Sequence, residues 1–243
     1  MPPAAPRLSI IVPILEEALI VPTALARLAP LRAAGAEVIV VDGGSRDGSA
    51  VVAAAGADRV LAASRGRARQ MNAGAAVARG EVLLFLHVDT MLPTGAMQAI
   101  ETAVNGVATG RSAHSAESRS GVPVWGRFDV RIDGRGRLLG VVAAMMNARS
   151  RLTGIATGDQ AMFVTRAAFA AAGGFPDQLL MEDIELSRRL LRLSRPACLR
   201  ARVLTSGRRW ETRGTWRTIV LMWRLRLLYR LGVAPERLAR SYR

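Results

Sequence analysis

The sequence predicts an α/β fold with a parallel sheet and helices on both faces, and two observations carry the prediction. Short, nearly continuous apolar runs, LSIIVPI (8–14), AEVIVVD (36–42), DRVLA (58–62) and EVLLFLHV (81–88), have the length of strands buried on both sides. Between them lie alanine- and leucine-rich stretches of helical length, at 16–34, 46–56 and 65–79. Alternation of this kind gives parallel strands joined by right-handed crossover helices. With 243 residues, 50% of them hydrophobic, the chain is long enough to bury one substantial core.

Ligands of such sheets collect beyond the carboxyl ends of the strands, and the polar residues sit there. The first run ends in Pro13 and passes to Glu16 and Glu17, the second enters VDGGSRDGS, and the fourth ends in His87 and Asp89. Ser45 and Asp47 read equally as caps of the following helix. Asp42 and Asp89 fit capping less well, because each directly ends an apolar strand. No G-x-G-x-x-G follows the first strand and no Walker G-x-x-x-x-G-K-[ST] occurs, which weighs against dehydrogenases and P-loop NTPases.

Further along, GVATGRSAHSAESRSG (106–121) is small, polar and low in complexity, and reads as a mobile loop. VWGRFDVRI alternates like a strand, in which Trp125 and Phe128 are either ligand contacts or core. MEDIELSRRL places Glu182 and Asp183 just before an amphipathic helix, where two acids are also ordinary partners of the helix dipole.

The formal charge of +15 comes entirely from arginine, since lysine is absent, and after residue 186 the only acids are Glu211 and Glu236. A basic end of this kind suits nucleic acid, an anionic membrane or a diphosphate. From Thr215 to Leu231, tryptophans and aliphatic residues recur near helical spacing with arginines between them. That stretch either lies on an anionic bilayer or packs on the domain with its arginines in water.

Cys198 is the single cysteine, which excludes an intramolecular disulfide, and two histidines are too few for a zinc cluster. The start of the chain lacks the flanks of a signal peptide, and no apolar run reaches the roughly 20 residues of a membrane span. The expected setting is cytoplasmic, with peripheral contact to the inner membrane through 215–231 as the open alternative.

The order IIVPILEE, VVDGGSRDGS, RGRARQMNAGAAVARG and LHVDT, continued by TGDQAMFVTRAAFAAAGGF, MEDIELSRRL and TSGRRW, resembles family-2 glycosyltransferases of the GT-A fold over nearly the whole chain. WGRFDVRIDG, NARSRLTGIATGDQAMF and MEDIELSRRL look most like the bacterial arsenosugar-biosynthesis-type members. The resemblance implies a GT-A domain over 1–210, with a donor half to about 105, an acceptor half from about 122, and a basic helical extension over 211–243. It implies a nucleoside-diphosphate sugar donor, a small-molecule or lipid acceptor, a divalent cation (Mg²⁺ or Mn²⁺), and inverting transfer.

Residue by residue, Asp89 matches the last carboxylate of the family's Asp-x-Asp and would hold the metal. His87 stands in place of the first Asp, on the nucleoside side. Pro13, Glu17, Asp42, Gly43 and Ser45 match the nucleoside pocket, with Glu16 where Asn is common. Arg67, Gln70 and Asn72 would approach phosphate or ribose at a helix start. Glu182 and Asp183 match the Glu-Asp motif, with Asp183 as the base. Arg209 would cover the diphosphate and Trp210 would stack on a sugar, although Ser206 replaces the Gln of processive members. Asp159 and Gln160 match the acceptor segment, and Trp125 is the further acceptor candidate.

A nucleotidyltransferase shares the sheet and its acidic rim, and a nucleic-acid-binding module would use the same charge. The latter should interleave aromatics with its basic residues, and the aromatic fraction is only 5%.

Overall fold

The alternating runs fold as a parallel unit. In the computed structural model, which describes residues 7–105, 124–136 and 138–242 without the side chains of Arg209, Arg213 and Tyr242, β1 (Leu8–Ile14), β2 (Glu37–Asp42), β3 (Arg59–Ala62) and β4 (Val82–Phe85) lie in the order β3-β2-β1-β4. They are all parallel. The crossovers are α1 (Val21–Ala33), α2 (Ser49–Ala53) and α3 (Arg67–Val77). The segment 106–121, expected to be a loop, lies outside the described residues.

Beyond β4 the chain departs from a purely parallel sheet. After β5 (Thr90–Met91) and α4 (Ala96–Asn105) come β6 (Trp125–Asp133), α5 (Leu139–Thr153), β7 (Met162–Thr165), α6 (Arg166–Ala171), α7 (Glu182–Leu190) and β8 (Ala197–Ser206). β7 pairs antiparallel with β4 and β6, and β6 pairs parallel with β8. The full order is β3-β2-β1-β4-β7-β6-β8-β5, a mixed eight-stranded sheet. The chain continues through α8 (Arg208–Arg213), α9 (Thr215–Arg230) and α10 (Pro235–Tyr242).

Residue parity sends side chains to alternate faces of the strands. Ile10, Val12, Val38, Val40 and Leu84 meet Leu25 and Leu28 of α1 on one face. On the other, Ile11, Ile39, Val41, Leu83 and Phe85 meet Met71 of α3 and Leu186 of α7. Each such aliphatic side chain contributes roughly 1.5–3 kcal/mol when removed from water. Gly74 lets α3 lie directly on β1, since a Cβ there would stand 2.5 Å from Ile11 Cγ2. The first turn of α3, with Arg67, is thereby fixed above the carboxyl end of β1.

Trp125 and Phe128 belong to the core. Both are fully buried, and the Trp125 indole N–H donates to Ser194 O at 2.9 Å. The expected acceptor contact at Trp125 is therefore corrected: an inward-facing strand tryptophan needs a partner for its N–H, and here it is the backbone. Between them, the fully buried Arg127 pairs with Asp129 and donates to Ser150 Oγ at 3.0 Å. Arg151 reaches the other Asp129 oxygen at 2.6 Å, so this network holds α5 on β6.

The C-terminal helices pack back on the domain through Leu225 of α9 and Leu238 of α10, which join Met181 and Ile184 in a third cluster. Among the described residues no helix is long and apolar enough to cross a membrane.

Candidate active site

β4 stops at Phe85, earlier than the apolar run suggests, and Thr90 N donates back to His87 O at 3.0 Å. This turn lifts His87 and Asp89 above the sheet edge. They face a cleft of about 850 Å³, a size suited to a small-molecule ligand. It is lined by two sets of residues: Pro13, Glu17, Arg67, Gln70, His87 and Asp89 from the ends of β1 and β4 and the start of α3, and Asp159, Glu182, Asp183 and Trp210 from later in the chain.

Glu17 is placed by a zipper between two loops. Ser49 Oγ accepts from Glu17 N at 2.8 Å, Asp47 accepts from Ala18 N at 2.9 Å, and Ser45 Oγ accepts from Glu16 N at 2.9 Å. Burial raises the Glu17 carboxyl above its ordinary range; Arg208 opposes this, while Asp89 and Asp47 add to it. The Glu17 and Asp89 carboxylates repel one another, and a divalent cation would offset that repulsion. Among the described residues no group of three or more His, Cys, Asp or Glu is arranged for a metal. The donor set fits a hard cation that takes one or two carboxylates and completes its shell with phosphate and water oxygens.

Several expected ligand residues are occupied structurally. Asp42 accepts from Gly44 N at 3.0 Å and Ser45 N at 2.9 Å, and the Ser45 hydroxyl donates to its second oxygen. Neither Asp42 nor Ser45 lines the cleft, because the turn after β2 uses their hydrogen-bonding capacity for its own backbone. Gly43 packs on the Gln70 amide, which donates to Ile14 O and Val41 O, both at 2.8 Å, and so ties the ends of β1 and β2. Asn72 bonds both backbone groups of Phe175 and lies away from the cleft. Gln160 is fully buried as part of a capping box with Thr157. These residues position the site instead of lining it, Gln70 excepted, which does both.

In the second set, a 3₁₀ turn at Gly158–Gln160 meets the start of α7. Asp183 Oδ2 accepts from Gly158 N at 3.0 Å, and its Oδ1 accepts from Ile184 N at 2.7 Å. The carboxylate is thus oriented by backbone donors that leave lone pairs toward the cleft. His87 Nδ1 lies 3.4 Å from Asp159 Oδ1, joining the two sets. The three non-glycine residues with left-handed backbone among those described, Glu16, Ala161 and Met181, each flank a cleft segment. Such conformations cost about 1–3 kcal/mol and concentrate at functional sites.

Gly158 lies directly under the His87 ring, and a Cβ there would stand 2.5 Å from Nε2. Gly158→Ala must displace the imidazole. The expected outcome is a loss of activity on the order of tenfold or more with little change in Tm, checked by steady-state kinetics beside a melting curve.

Burial, and then the neighbouring Asp183 carboxylate, push the Glu182 carboxyl up to about 7. Its folded value lies above the unfolded 4.5, so the native state binds the extra proton between these values. The stability it contributes is complete below the unfolded value and is lost as pH rises through 7. Glu182→Gln removes the ionisation. We expect its Tm to exceed wild type by about 5 °C at pH 8 and to match it near pH 5, measured by calorimetry.

Four arginines complete the electrostatics. Arg67 lies within electrostatic reach of both Glu17 and Glu182. Arg208 approaches Glu17 at 3.8 Å, and Arg65 lines the cleft just before α3. Arg69 behaves as a surface residue, paired with Asp177 at 2.7 Å. Arg226 of α9 also lines the cleft, where burial lowers its pKa and Asp183 and Asp159 raise it. The side chain of Arg209, the expected diphosphate contact, lies outside the described residues. Arg208 and Arg226 carry no sequence signal that separates them from the many other arginines nearby.

Residues 9–164 match the sequence pattern of Glycosyl transferase family 2. No curated protein matches significantly. Among solved structures, the mannosyltransferase PcManGT from Pyrobaculum calidifontis in complex with GDP-Man and Mn²⁺ aligns with a TM-score of 0.62 at 22% identity, over 97% of this chain and 67% of that one. S. aureus TarS 1–349 in complex with UDP-GlcNAc aligns with a TM-score of 0.63 at 16% identity, over 82% and 58%. Glucosyl-3-phosphoglycerate synthase from Mycobacterium tuberculosis in complex with Mn²⁺, UDP and glucosyl-3-phosphoglycerate gives 0.53 at 18%, over 83% and 71%. The chain therefore spans less than two thirds of the TarS fragment it aligns with. At these identities the likeness is one of fold.

Proposed function

The chain belongs to Glycosyl transferase family 2, and on that premise we propose that its cleft carries out metal-dependent, inverting transfer of a sugar from a nucleoside diphosphate to an acceptor hydroxyl. One observation carries the reading: the carboxylates beyond β1 and β4 and the oriented carboxylate at the start of α7 line a single cleft.

Asp89, with Glu17 beside it, is the holder of the divalent cation, Mg²⁺ or Mn²⁺. When bound, that cation neutralises the diphosphate and eases its departure. Arg67 and Arg208 add positive charge on the same side. His87 and Pro13 bound the nucleoside end, and Trp210 offers a ring to a sugar. Asp183 takes the acceptor proton as the acceptor oxygen bonds to the anomeric carbon. The carbon–oxygen bond to the diphosphate breaks on the opposite face, its electron pair leaves with the diphosphate, and the anomeric configuration inverts. Burial raises the Glu182 carboxyl to about 7, so at neutral pH it places only part of a second negative charge beside that base.

The donors in the aligned structures, GDP-Man and UDP-GlcNAc, and the Mn²⁺ in two of them, support a nucleotide-sugar donor and a divalent cation here. The finer likeness to arsenosugar-type members rests on sequence motifs alone, and no side chain of the cleft has chemistry specific to arsenic.

Product analysis tests the reading. Incubation with nucleotide sugars and Mn²⁺ should release a nucleoside diphosphate, with the transferred sugar in inverted configuration by NMR. Release of pyrophosphate from a nucleoside triphosphate and a sugar phosphate would identify nucleotidyl transfer instead.

A further inference from the structure

Helix α9 presents two faces with different chemistry. Thr218, Met222 and Arg226, four residues apart, line the cleft. Roughly opposite, Trp216, Val220, Trp223, Leu227 and Leu231 follow one another at spacings of four, three, four and four residues, which places them on one side of a helix. They are 67%, 63%, 62%, 58% and 71% exposed, a continuous apolar stripe left in water. A helix whose only role is to cover the cleft would carry polar residues there.

The flanks of the stripe decide its partner. Arg217, Arg224 and Arg230 are exposed along α9, and Arg237 and Arg240 are exposed on α10 beside it, against Glu236, the one exposed acid among the described residues of these two helices. Two tryptophans and three aliphatic side chains bordered by guanidiniums match a surface that is apolar inside and anionic outside. We propose that the outer face of α9 is a docking surface for an anionic lipid bilayer, with Trp216 and Trp223 at the acyl boundary and the arginines on the lipid phosphates.

The position has a consequence for the acceptor, which rests on the transferase reading above. The cleft is one helix diameter, about 10 Å, from the stripe. An acceptor hydroxyl carried on a lipid head group enters beside Met222 and Arg226 without leaving the membrane surface.

The test is co-sedimentation of the full chain with phosphatidylcholine vesicles, with and without 30 mol% phosphatidylglycerol, alongside tryptophan quenching by brominated acyl chains. The expected result is binding that requires the anionic lipid, quenching on binding, and about tenfold or greater weakening in Trp216→Ser/Trp223→Ser and in Arg217→Gln/Arg224→Gln. All four positions are exposed, so both variants should keep the wild-type melting curve and any nucleotide-induced shift. Absence of binding, or binding unchanged in both variants, overturns the proposal. So does a lipid-free dimer, seen by light scattering, that the tryptophan substitutions dissociate without vesicle binding by the wild type. Vesicle binding with no response to any nucleotide leaves docking in place and removes the transferase reading; a nucleotide response without vesicle binding does the reverse.

Discussion

Asp183→Asn should reduce sugar transfer by about a thousandfold while nucleotide binding stays at the wild-type level. Asparagine keeps the shape of the side chain and one carbonyl to accept from Gly158 N or Ile184 N, so the loop geometry persists. It removes the basic carboxylate proposed to take the acceptor proton. A second effect follows from the surroundings. The Asp183 charge offsets the two guanidiniums of Arg149 and Arg226, and burial first, then Arg226, already press Arg149 down to about 10. Arg149 Nε and Nη2 are buried without a hydrogen-bond partner among the described residues. The asparagine variant should therefore also melt a few degrees lower, because a buried cation loses its counter-charge. Stopped assays beside calorimetry separate the two outcomes. Full transfer activity in the variant would remove Asp183 from the role of base.

Asp89→Ala carries the second large effect, in a different observable. Loss of the carboxylate at the tip of the β4 turn should lower kcat/KM by at least about a hundredfold, and excess Mn²⁺ should not restore it. Glu17 reports the change independently. Removing Asp89 takes away a repelling charge, so the Glu17 carboxyl should titrate closer to its ordinary value. A variant that recovers wild-type kcat/KM at millimolar Mn²⁺ would show that Glu17 suffices for the cation.

The parallel half of the sheet and the acids beyond β1 and β4 were legible because both follow from local chemistry. A short apolar run buried on two faces has few alternatives to a parallel strand, and its end marks where ligands collect, so β1, β2 and β4, with Glu17 and Asp89 beyond the first and last of them, read directly. Asp42 reads the same whether it faces a ligand or caps its own turn, and only the donors from Gly44 and Ser45 distinguish the two. Trp125 likewise reads as platform or core until the sheet shows which side it faces. The arginines were the least legible. Arg226 reaches the cleft because Leu225 is buried against Met181 and Ile184, which sets the rotation of α9, and that docking has no local signature. The same rotation exposes the tryptophan stripe.

The central claim is that Asp89 organises a cation-dependent nucleotide site, and a thermal-shift panel tests it most directly. UDP, GDP, CDP and dTDP, each with and without Mn²⁺ or Mg²⁺, would be compared on wild type and Asp89→Ala. One nucleotide should raise the wild-type Tm by roughly 5 °C or more at saturation, only with the cation present, and the variant should not respond. A flat response of the wild type to all four nucleotides, or an equal shift in the variant, would contradict the account.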